Sequence, residues 1–174
     1  MMNLPPRALT GSFPPLVTPF RNGSVDYEAY ARVVEHQIAH GTHGIVVNGT
    51  TSEPTSLTAD ERNRLVQTAV EVAAGRIPVV AQTGSQSHAE TVALTEFAAG
   101  AGADAIMVLT PYFIRAPQRG VVAYFEDIAG RTELPVLMYH IPGRSAFKVE
   151  LDTLARIAEA RPNFVGIKHA VDDH

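Results

Sequence analysis

Short apolar runs rich in valine and isoleucine alternate along the chain with longer stretches of mixed polarity. Most of these runs are continuously apolar, a pattern typical of parallel strands that are covered on both faces. We therefore predict that each run is a strand. The predicted strands are Pro15–Phe20, Gly44–Gly49, Pro78–Gly84, Ala105–Pro111, Pro135–Pro142 and Phe164–Ala170.

The stretches between the runs carry the start and stop signals of helices. Asp26 can cap a helix that ends near His40, with Gly41 as its stop. Capping boxes at Thr58–Glu61 and Ser87–Glu90 predict the start of the next two helices. The remaining predicted bounds are Ala99 for the end of the third helix, Pro117 to Gly130 for the fourth and Leu151 to Ala160 for the fifth.

Strands that alternate with helices indicate a parallel α/β fold. An open sheet with a dinucleotide site would carry G-x-G-x-x-G after the first strand, where this chain has Arg-Asn-Gly-Ser. A (β/α)8 TIM barrel is the alternative closure, and it usually needs about 250 residues. We therefore expect one domain, residues 1–174, that is a barrel portion truncated after strand six, with strands seven and eight absent.

Composition narrows the classes of function. The net charge of −4 does not favour a nucleic-acid or anionic-membrane surface. The absence of cysteine excludes disulfides, thiolate catalysis and cysteine-ligated metals. No apolar run reaches the length of a bilayer span, and we expect a cytoplasmic protein. His36 and His40 could share a helix face, but no third ligand accompanies them, so we predict no metal site.

Parallel α/β folds place their sites at the carboxyl ends of strands, and candidate residues follow three of the predicted strands. In the last run, burial of Lys168 would favour the neutral amine that attacks a ketone, although a structural ion pair or a solvent-exposed lysine explains it equally well. Tyr139 could relay protons to an imine and Arg144 could bind a carboxylate. A tyrosine that caps the core and an arginine in a surface turn are the alternative interpretation.

The loop after the second run could bind a substrate carboxylate. Gly49 would allow a tight turn, and the hydroxyls of Thr50 and Thr51 with nearby backbone N–H groups would form the nest. A loop that is merely rich in turn-forming residues is the alternative.

Four motifs taken together are more specific than any one of them. GTTSEP follows the second run, TPYF the fourth and YHIPGRS the fifth, and GIKHA lies in the sixth. Over Gly11 to Asp173 this order resembles the dihydrodipicolinate synthase / N-acetylneuraminate lyase family. The resemblance implies the N-terminal part of a (β/α)8 barrel that usually has a C-terminal helical extension. It also implies a class I aldolase that needs no metal or organic cofactor, and a homo-oligomer, either dimer or tetramer.

The resemblance implies roles for individual residues. Lys168 matches the imine-forming lysine, and Tyr139 matches the tyrosine that shuttles protons. Thr50 and Thr51 match the pair that hydrogen-bonds this tyrosine and holds the carboxylate of the 2-oxo acid. The catalytic residues implied are therefore Lys168, Tyr139 and Thr50, with Thr51 binding substrate.

Further matches and two departures concern the second substrate. Arg144 matches an arginine that meets the second substrate's carboxylate, and Tyr112 matches the first aromatic residue of a tyrosine pair. Phe113 replaces the second tyrosine, which relays protons in the synthases and typically enters from a neighbouring subunit. Ser52-Glu53-Pro54 replaces the common Gly-Glu-Ser or Gly-Glu-Ala, and we assign Glu53 no catalytic role.

Three hypotheses for function follow. The first is a lyase or aldolase of the dihydrodipicolinate synthase type that joins pyruvate to an aldehyde, or releases it, through an imine on Lys168. The second is a 2-keto-3-deoxy sugar acid aldolase or dehydratase, which Phe113 favours. The third is a non-catalytic barrel fragment. The expected partners of the enzyme are small-molecule 2-oxo acids and aldehydes, with no nucleic acid or membrane.

Overall fold

A computed structural model describes residues 9–171 of the chain. Five of the six predicted strands and all five predicted helices are present. The elements, in chain order, are β1 (Phe20–Arg21), β2 (Ser24–Val25), α1 (Tyr27–Ala39), β3 (Ile45–Val47), α2 (Ala59–Ala73), β4 (Val79–Gln82), α3 (His88–Ala101), β5 (Ala105–Leu109), α4 (Gln118–Ala129), β6 (Val136–His140), α5 (Pro142–Ser145), α6 (Leu151–Ala160) and β7 (Phe164–His169).

The chain divides into two compact units. The first runs to Gln82 and includes Phe97–Ala105, and the second comprises Thr83–Glu96 and continues from Ile106. Apart from the antiparallel β1–β2 hairpin, the paired strands within each unit run parallel. This confirms the predicted parallel α/β fold. The single domain over residues 1–174 stays a prediction.

In the first unit, β3 and β4 pair in register, with Ile45 opposite Val79. Every residue of both strands is buried, as the continuous apolar runs predict. Helix α2 packs on both strands and on α1. Just beyond α2, the Arg76 guanidinium donates two hydrogen bonds to Glu35 of α1, at 3.0 and 2.6 Å. The hydrogen bond from Arg76 lowers the pKa of the Glu35 carboxyl.

In the second unit, β6 pairs with β5 on one side and with β7 on the other. The register between β6 and β7 shifts once, between Val136 and Leu137, and is regular from there to the carboxyl ends. Helices α4 and α6 pack together, and their inward side chains Phe125 and Ile157 are fully buried. The carboxyl ends of β6 and β7 therefore lie in a fixed register on a packed support.

The helix starts follow the predicted capping, with one difference. Asp26 caps α1, and the hydrogen bond from a first-turn backbone N–H lowers the pKa of its carboxyl. Thr58 forms both halves of its capping box. At α3 the Ser87 hydroxyl accepts the Glu90 N–H at 3.3 Å, but the Glu90 carboxylate accepts a hydrogen bond from Ser85. The second capping box is half formed because this earlier hydroxyl takes the carboxylate.

The first predicted strand, Pro15–Phe20, is wrong as an extended strand. It contributes a single parallel bridge, at Pro15, to Val46, and the Leu16 N–H donates to the Val46 carbonyl at 3.0 Å. Proline has no N–H to donate to a ladder, and this segment contains Pro15 and Pro19 and directly follows Pro14. The last residue of the run instead begins the β1–β2 hairpin.

Two observations bear on the predicted absence of metal and membrane partners. His36 and His40 share an exposed face of α1, with ring centroids 4.0 Å apart. Among residues 9–171, no group of three or more histidine, cysteine or acidic residues could hold a metal ion. Within the same part of the chain, no helix is both long and apolar enough to cross a bilayer.

Candidate active site

Lys168 and Tyr139 lie side by side at the carboxyl ends of β7 and β6. The two residues are register partners in the parallel pair, so their side chains project from the same face of the strands. The Lys168 Nζ atom lies 4.2 Å from the centroid of the Tyr139 ring, within the range of a cation–π contact. The two residues are 29 positions apart in the sequence, and the strand register brings their side chains into contact.

The exposure of these two side chains differs. Tyr139 is buried, with 4% of its surface exposed. Lys168 is half-buried, which lies between the buried amine and the solvent-exposed lysine that the sequence left open. Among the described residues β7 pairs along one edge only, and Gly166 and Ile167 before the lysine are also half-buried. An amine in this position is held by its strand and remains accessible to a small molecule.

The backbone around Tyr139 is tied to both neighbouring strand ends. The Thr110 N–H, just beyond β5, donates to the Tyr139 carbonyl at 3.3 Å. The Ala170 N–H, just beyond β7, donates to the His140 carbonyl at 2.9 Å. These bonds extend the ladder one step past the strands and fix the backbone that carries the tyrosine.

A pair of histidines adjoins the lysine and the tyrosine, and the sequence analysis missed it. His140 and His169 follow Tyr139 and Lys168 directly and are themselves register partners. Their rings stack with centroids 4.9 Å apart. The signal was available in the sequence, since both candidate residues are followed by histidine, but it becomes visible only when the strand register is known.

Arg144 lies on the one-turn helix α5, in the second unit with Lys168 and Tyr139. The turn is anchored by Ser145, which is buried and whose hydroxyl donates to the Ile141 carbonyl at 3.1 Å. The Arg144 side chain is exposed. This position leaves the guanidinium accessible to an anion, and its role in substrate binding stays a prediction.

The TPYF segment, also in the second unit, places its two aromatic residues differently. Tyr112 is half-buried. It is near enough to Tyr124 to act on that residue's ionisation, although burial is the main cause that raises the pKa of Tyr124 to about 12. Phe113 is 91% exposed and has a positive φ of 69°. A bulky residue rarely adopts this backbone conformation. Phe113 therefore combines an unusual backbone conformation with an apolar ring that is exposed to solvent.

Thr50 and Thr51 belong to the first unit, where they form a 3-10 turn with Ser52 after β3. Thr50 is half-buried and Thr51 is exposed. Ser52 anchors the turn, because its hydroxyl donates to the Leu16 carbonyl at 2.6 Å and its carbonyl accepts from the Thr18 hydroxyl at 2.8 Å. The serine that departs from the family pattern therefore has a structural role in this loop.

The prediction that Gly49 supplies the tight turn is wrong. Gly49 has φ −66° and ψ 177°, an extended conformation open to any residue, and a Cβ atom there would make only ordinary contacts. Asn48 adopts the left-handed conformation instead, with φ 59°. Asparagine tolerates this region, and the Asn48 amide donates to the Arg62 carbonyl at 3.0 Å. The turn is thus set by a buried asparagine one position earlier.

Comparison with known proteins identifies the family and the fold of the chain. A model of the family described as "Dihydrodipicolinate synthetase family" matches residues 8–174. The 4-hydroxy-tetrahydrodipicolinate synthase of Rhodospirillum centenum is 48% identical over 163 residues, which cover 94% of this chain and 56% of that protein. The solved dihydrodipicolinate synthase of Aquifex aeolicus matches with a TM-score of 0.93 and 38% identity, over 95% of this chain and 56% of that one.

A more distant relative has the same fold. CdNal from Clostridium difficile, solved in complex with mannosamine, matches with a TM-score of 0.91 and 25% identity, over 95% of this chain and 57% of that one. The chain spans about half the length of the curated relatives it matches. The predicted fold class, a (β/α)8 barrel portion, is confirmed because the chain matches 56% of the Aquifex aeolicus structure and 57% of the CdNal structure.

Proposed function

The chain belongs to the dihydrodipicolinate synthetase family, and from this premise we propose that it carries the imine-forming part of a lyase that acts on pyruvate. The observation that carries the proposal is the contact of the Lys168 Nζ atom with the Tyr139 ring, 4.2 Å from its centroid. A half-buried amine beside a buried phenol combines a nucleophile with a group that exchanges protons.

In the proposed reaction, the Lys168 amine forms a bond to C2 of pyruvate and the carbonyl oxygen takes a proton, which gives a carbinolamine. Loss of water leaves the imine. Removal of a C3 proton from the protonated imine gives an enamine. Its C3 forms a bond to the carbonyl carbon of an aldehyde, whose C=O π bond breaks as the oxygen takes a proton, and the protonated imine re-forms. Hydrolysis of the imine releases the product and restores the amine. The reverse sequence breaks the same carbon–carbon bond.

The roles of the other residues are proposed from the resemblance. Tyr139 moves the protons of imine formation, with Thr50 assisting it. Thr51 binds the carboxylate of the 2-oxo acid, and its exposed hydroxyl supports an accessible position. Arg144 and Tyr112 bind the second substrate, and the exposed guanidinium suits a carboxylate.

Trapping with borohydride tests the imine. Pyruvate and borohydride should convert the chain to a stable adduct that intact-mass analysis detects, and Lys168→Ala should abolish it. The chain has two lysines, so Lys148→Ala is a matched control that should retain the adduct. An adduct that survives Lys168→Ala would refute the proposal.

Tyr139→Phe separates proton transfer from packing. The phenylalanine ring keeps the buried surface that faces the lysine and loses only the hydroxyl. We expect a folded protein in which the adduct forms about 10²-fold or more slowly, within the range of general acid–base catalysis. An unchanged rate would show that the phenol does not carry the protons.

A sugar-acid aldolase or dehydratase is the second candidate, and Phe113 favours it. This ring has no hydroxyl with which to relay a proton at the position where the synthase pattern has tyrosine. A panel that pairs pyruvate with aspartate semialdehyde and, separately, supplies 2-keto-3-deoxy sugar acids would distinguish the two. Turnover of only the second set would replace the synthase assignment. A cooperative melt with neither adduct nor turnover would favour the non-catalytic alternative.

We also propose that the protein is a cytoplasmic homo-oligomer. Phe113 and Ile114 are neighbouring apolar side chains that are 91% and 59% exposed, which supports contact with another subunit. The absence of cysteine suits a reducing compartment. Light scattering on the wild type and on a Phe113→Ser, Ile114→Ser variant tests the assembly. A wild type that is monomeric at all concentrations would exclude it.

A further inference from the structure

The strand-end histidine pair, His140 and His169, has a defined geometry. The His140 ring is buried, with 1% of its surface exposed, and the His169 side chain is exposed. The two Nδ1 atoms are 2.9 Å apart, which is a hydrogen-bond distance. The rings are nearly parallel, at 20°. A buried ring therefore meets an accessible one through a nitrogen–nitrogen hydrogen bond.

The partners of His140 determine which nitrogen carries the proton. The Val149 N–H donates to His140 Nε2 at 3.2 Å, so Nε2 presents a lone pair. A neutral imidazole has one N–H, so in His140 it is on Nδ1. His140 Nδ1 then donates to His169 Nδ1, and the proton of a neutral His169 is on Nε2. The contact needs both rings neutral and in these two tautomers.

The pair lies one step beyond Lys168 and Tyr139 on the same two strands. Side chains of consecutive strand residues point to opposite faces, so the histidines lie behind the lysine and the tyrosine. The Ala170 N–H donates to the His140 carbonyl at 2.9 Å, so the backbones of the two strands are also hydrogen-bonded at the level of the histidine pair. Among residues 9–171, β7 pairs only with β6. The two bonds at the ends of these strands, one between the histidine rings and one between backbones, therefore hold the end of β7 that carries Lys168.

We propose that His140 and His169 are positioning residues: their hydrogen bond fixes the end of β7 against β6 and thereby holds the Lys168 amine over the Tyr139 ring. Each histidine directly follows Tyr139 or Lys168 along its strand, and the proposed link runs through the backbone that it shares with that neighbour. The effect on imine formation rests on the proposed function, whereas the effect on the position of Lys168 does not.

Lysine NMR tests the position directly. Protons next to an amine over an aromatic face are shifted upfield, so Lys168 should have upfield Cε protons and exposed Lys148 should not. Lys148→Ala assigns the two signals. His169→Ala removes the acceptor at an exposed position, where little core packing is lost, and we expect the upfield shift to be lost. His169→Asn replaces Nδ1 with an amide oxygen and should restore it.

His40→Ala is the matched control, because it removes one ring of another histidine–histidine contact, the one between His36 and His40 at the end of α1. This change should leave the Lys168 signal where it is in the wild type. A shift that persists in His169→Ala overturns the proposal, and so does a wild type without the shift. Loss of the shift in both His169→Ala and His169→Asn also overturns it, since the hydrogen bond would then not be what positions the lysine.

Two further measurements separate this proposal from the proposed function. Nitrogen-15 spectra of the imidazoles should show His140 as the Nδ1–H tautomer, and the other tautomer would overturn the proposal. In borohydride trapping at saturating pyruvate, His169→Ala should be about 10-fold slower or more, and His169→Asn close to wild type. If the wild type forms no adduct, the proposed function fails while the NMR result still decides the positioning.

Discussion

Tyr30 offers a sharp test of how the first unit is stabilised. Its side chain is fully buried in α1, and its hydroxyl has no hydrogen-bond partner among residues 9–171. Burial also raises the pKa of this phenol. The variant Tyr30→Phe removes the hydroxyl and keeps the ring, so we expect it to be more stable than the wild type.

The magnitude follows from two opposing effects. A buried polar group without a partner costs about 1–3 kcal/mol of folding free energy. Removing the oxygen of Tyr30 leaves a void smaller than a methyl group, which costs less than about 1 kcal/mol. The free energy of unfolding should therefore rise by about 0.5–2 kcal/mol. For a chain of this size each kcal/mol corresponds to about 2–4 °C in Tm.

Tyr124→Phe is the matched comparison, because its hydroxyl has a partner. Tyr124 Oη donates to Thr91 Oγ1 at 3.2 Å, and losing this bond should cost about 0.5–1.5 kcal/mol. Urea unfolding followed by circular dichroism gives both values with one assay. If Tyr30→Phe lowers stability as much as Tyr124→Phe at an unchanged m-value, the Tyr30 hydroxyl is paired and the reasoning fails.

Three further predictions concern local features. Thr58→Ala removes the cap of α2 and should cost about 1 kcal/mol in the same urea assay, with no change in m-value. Gly44→Ala would drive a Cβ atom into the ring of Phe13 and should cost about 1–3 kcal/mol, whereas a methyl group at exposed Gly100 meets nothing and should not destabilise. The hydrogen bond from Arg131, and after it the hydrogen bond from His88, lower the pKa of the Asp127 carboxyl. The free energy that this carboxylate contributes to folding is therefore fully present above the ordinary carboxyl pKa, and it is lost as the pH falls through the lowered pKa. Carboxyl carbon-13 titration should show the Asp127 midpoint rising in Arg131→Gln, and an unmoved midpoint would contradict the assigned cause.

The elements of the fold could be predicted where local chemistry and burial agree. The cap at Asp26, the box at Thr58 and the helix Leu151–Ala160 are all present as predicted, because each depends on residues that are close together in the sequence. The strand at Pro15–Phe20 failed because apolar character was weighed without the missing N–H groups of its prolines. Apolar runs predict burial, whereas a ladder also needs donors.

The candidate site could be predicted in its residue types but not in its contacts. Lys168 and Tyr139 were identified from strand ends and motif order, and their contact depends on a register that includes one shift near Val136. The role given to Gly49 was wrong because a glycine beside a turn suggests a positive φ that Asn48 supplies. Local sequence does not specify which of two adjacent residues takes the left-handed conformation.

The alternation of side chains along a strand also determines how the histidine pair could act on the chemistry. A substrate bound to Lys168 would lie on the face that the lysine shares with Tyr139, and the rings of His140 and His169 project from the other face. The strand alternation therefore directs the histidine rings away from such a substrate. The proposed effect passes through backbone hydrogen bonds such as that from Ala170 to the His140 carbonyl. In the proposed function, the geometry of the lysine and the tyrosine therefore depends on the paired ends of β6 and β7 that carry them.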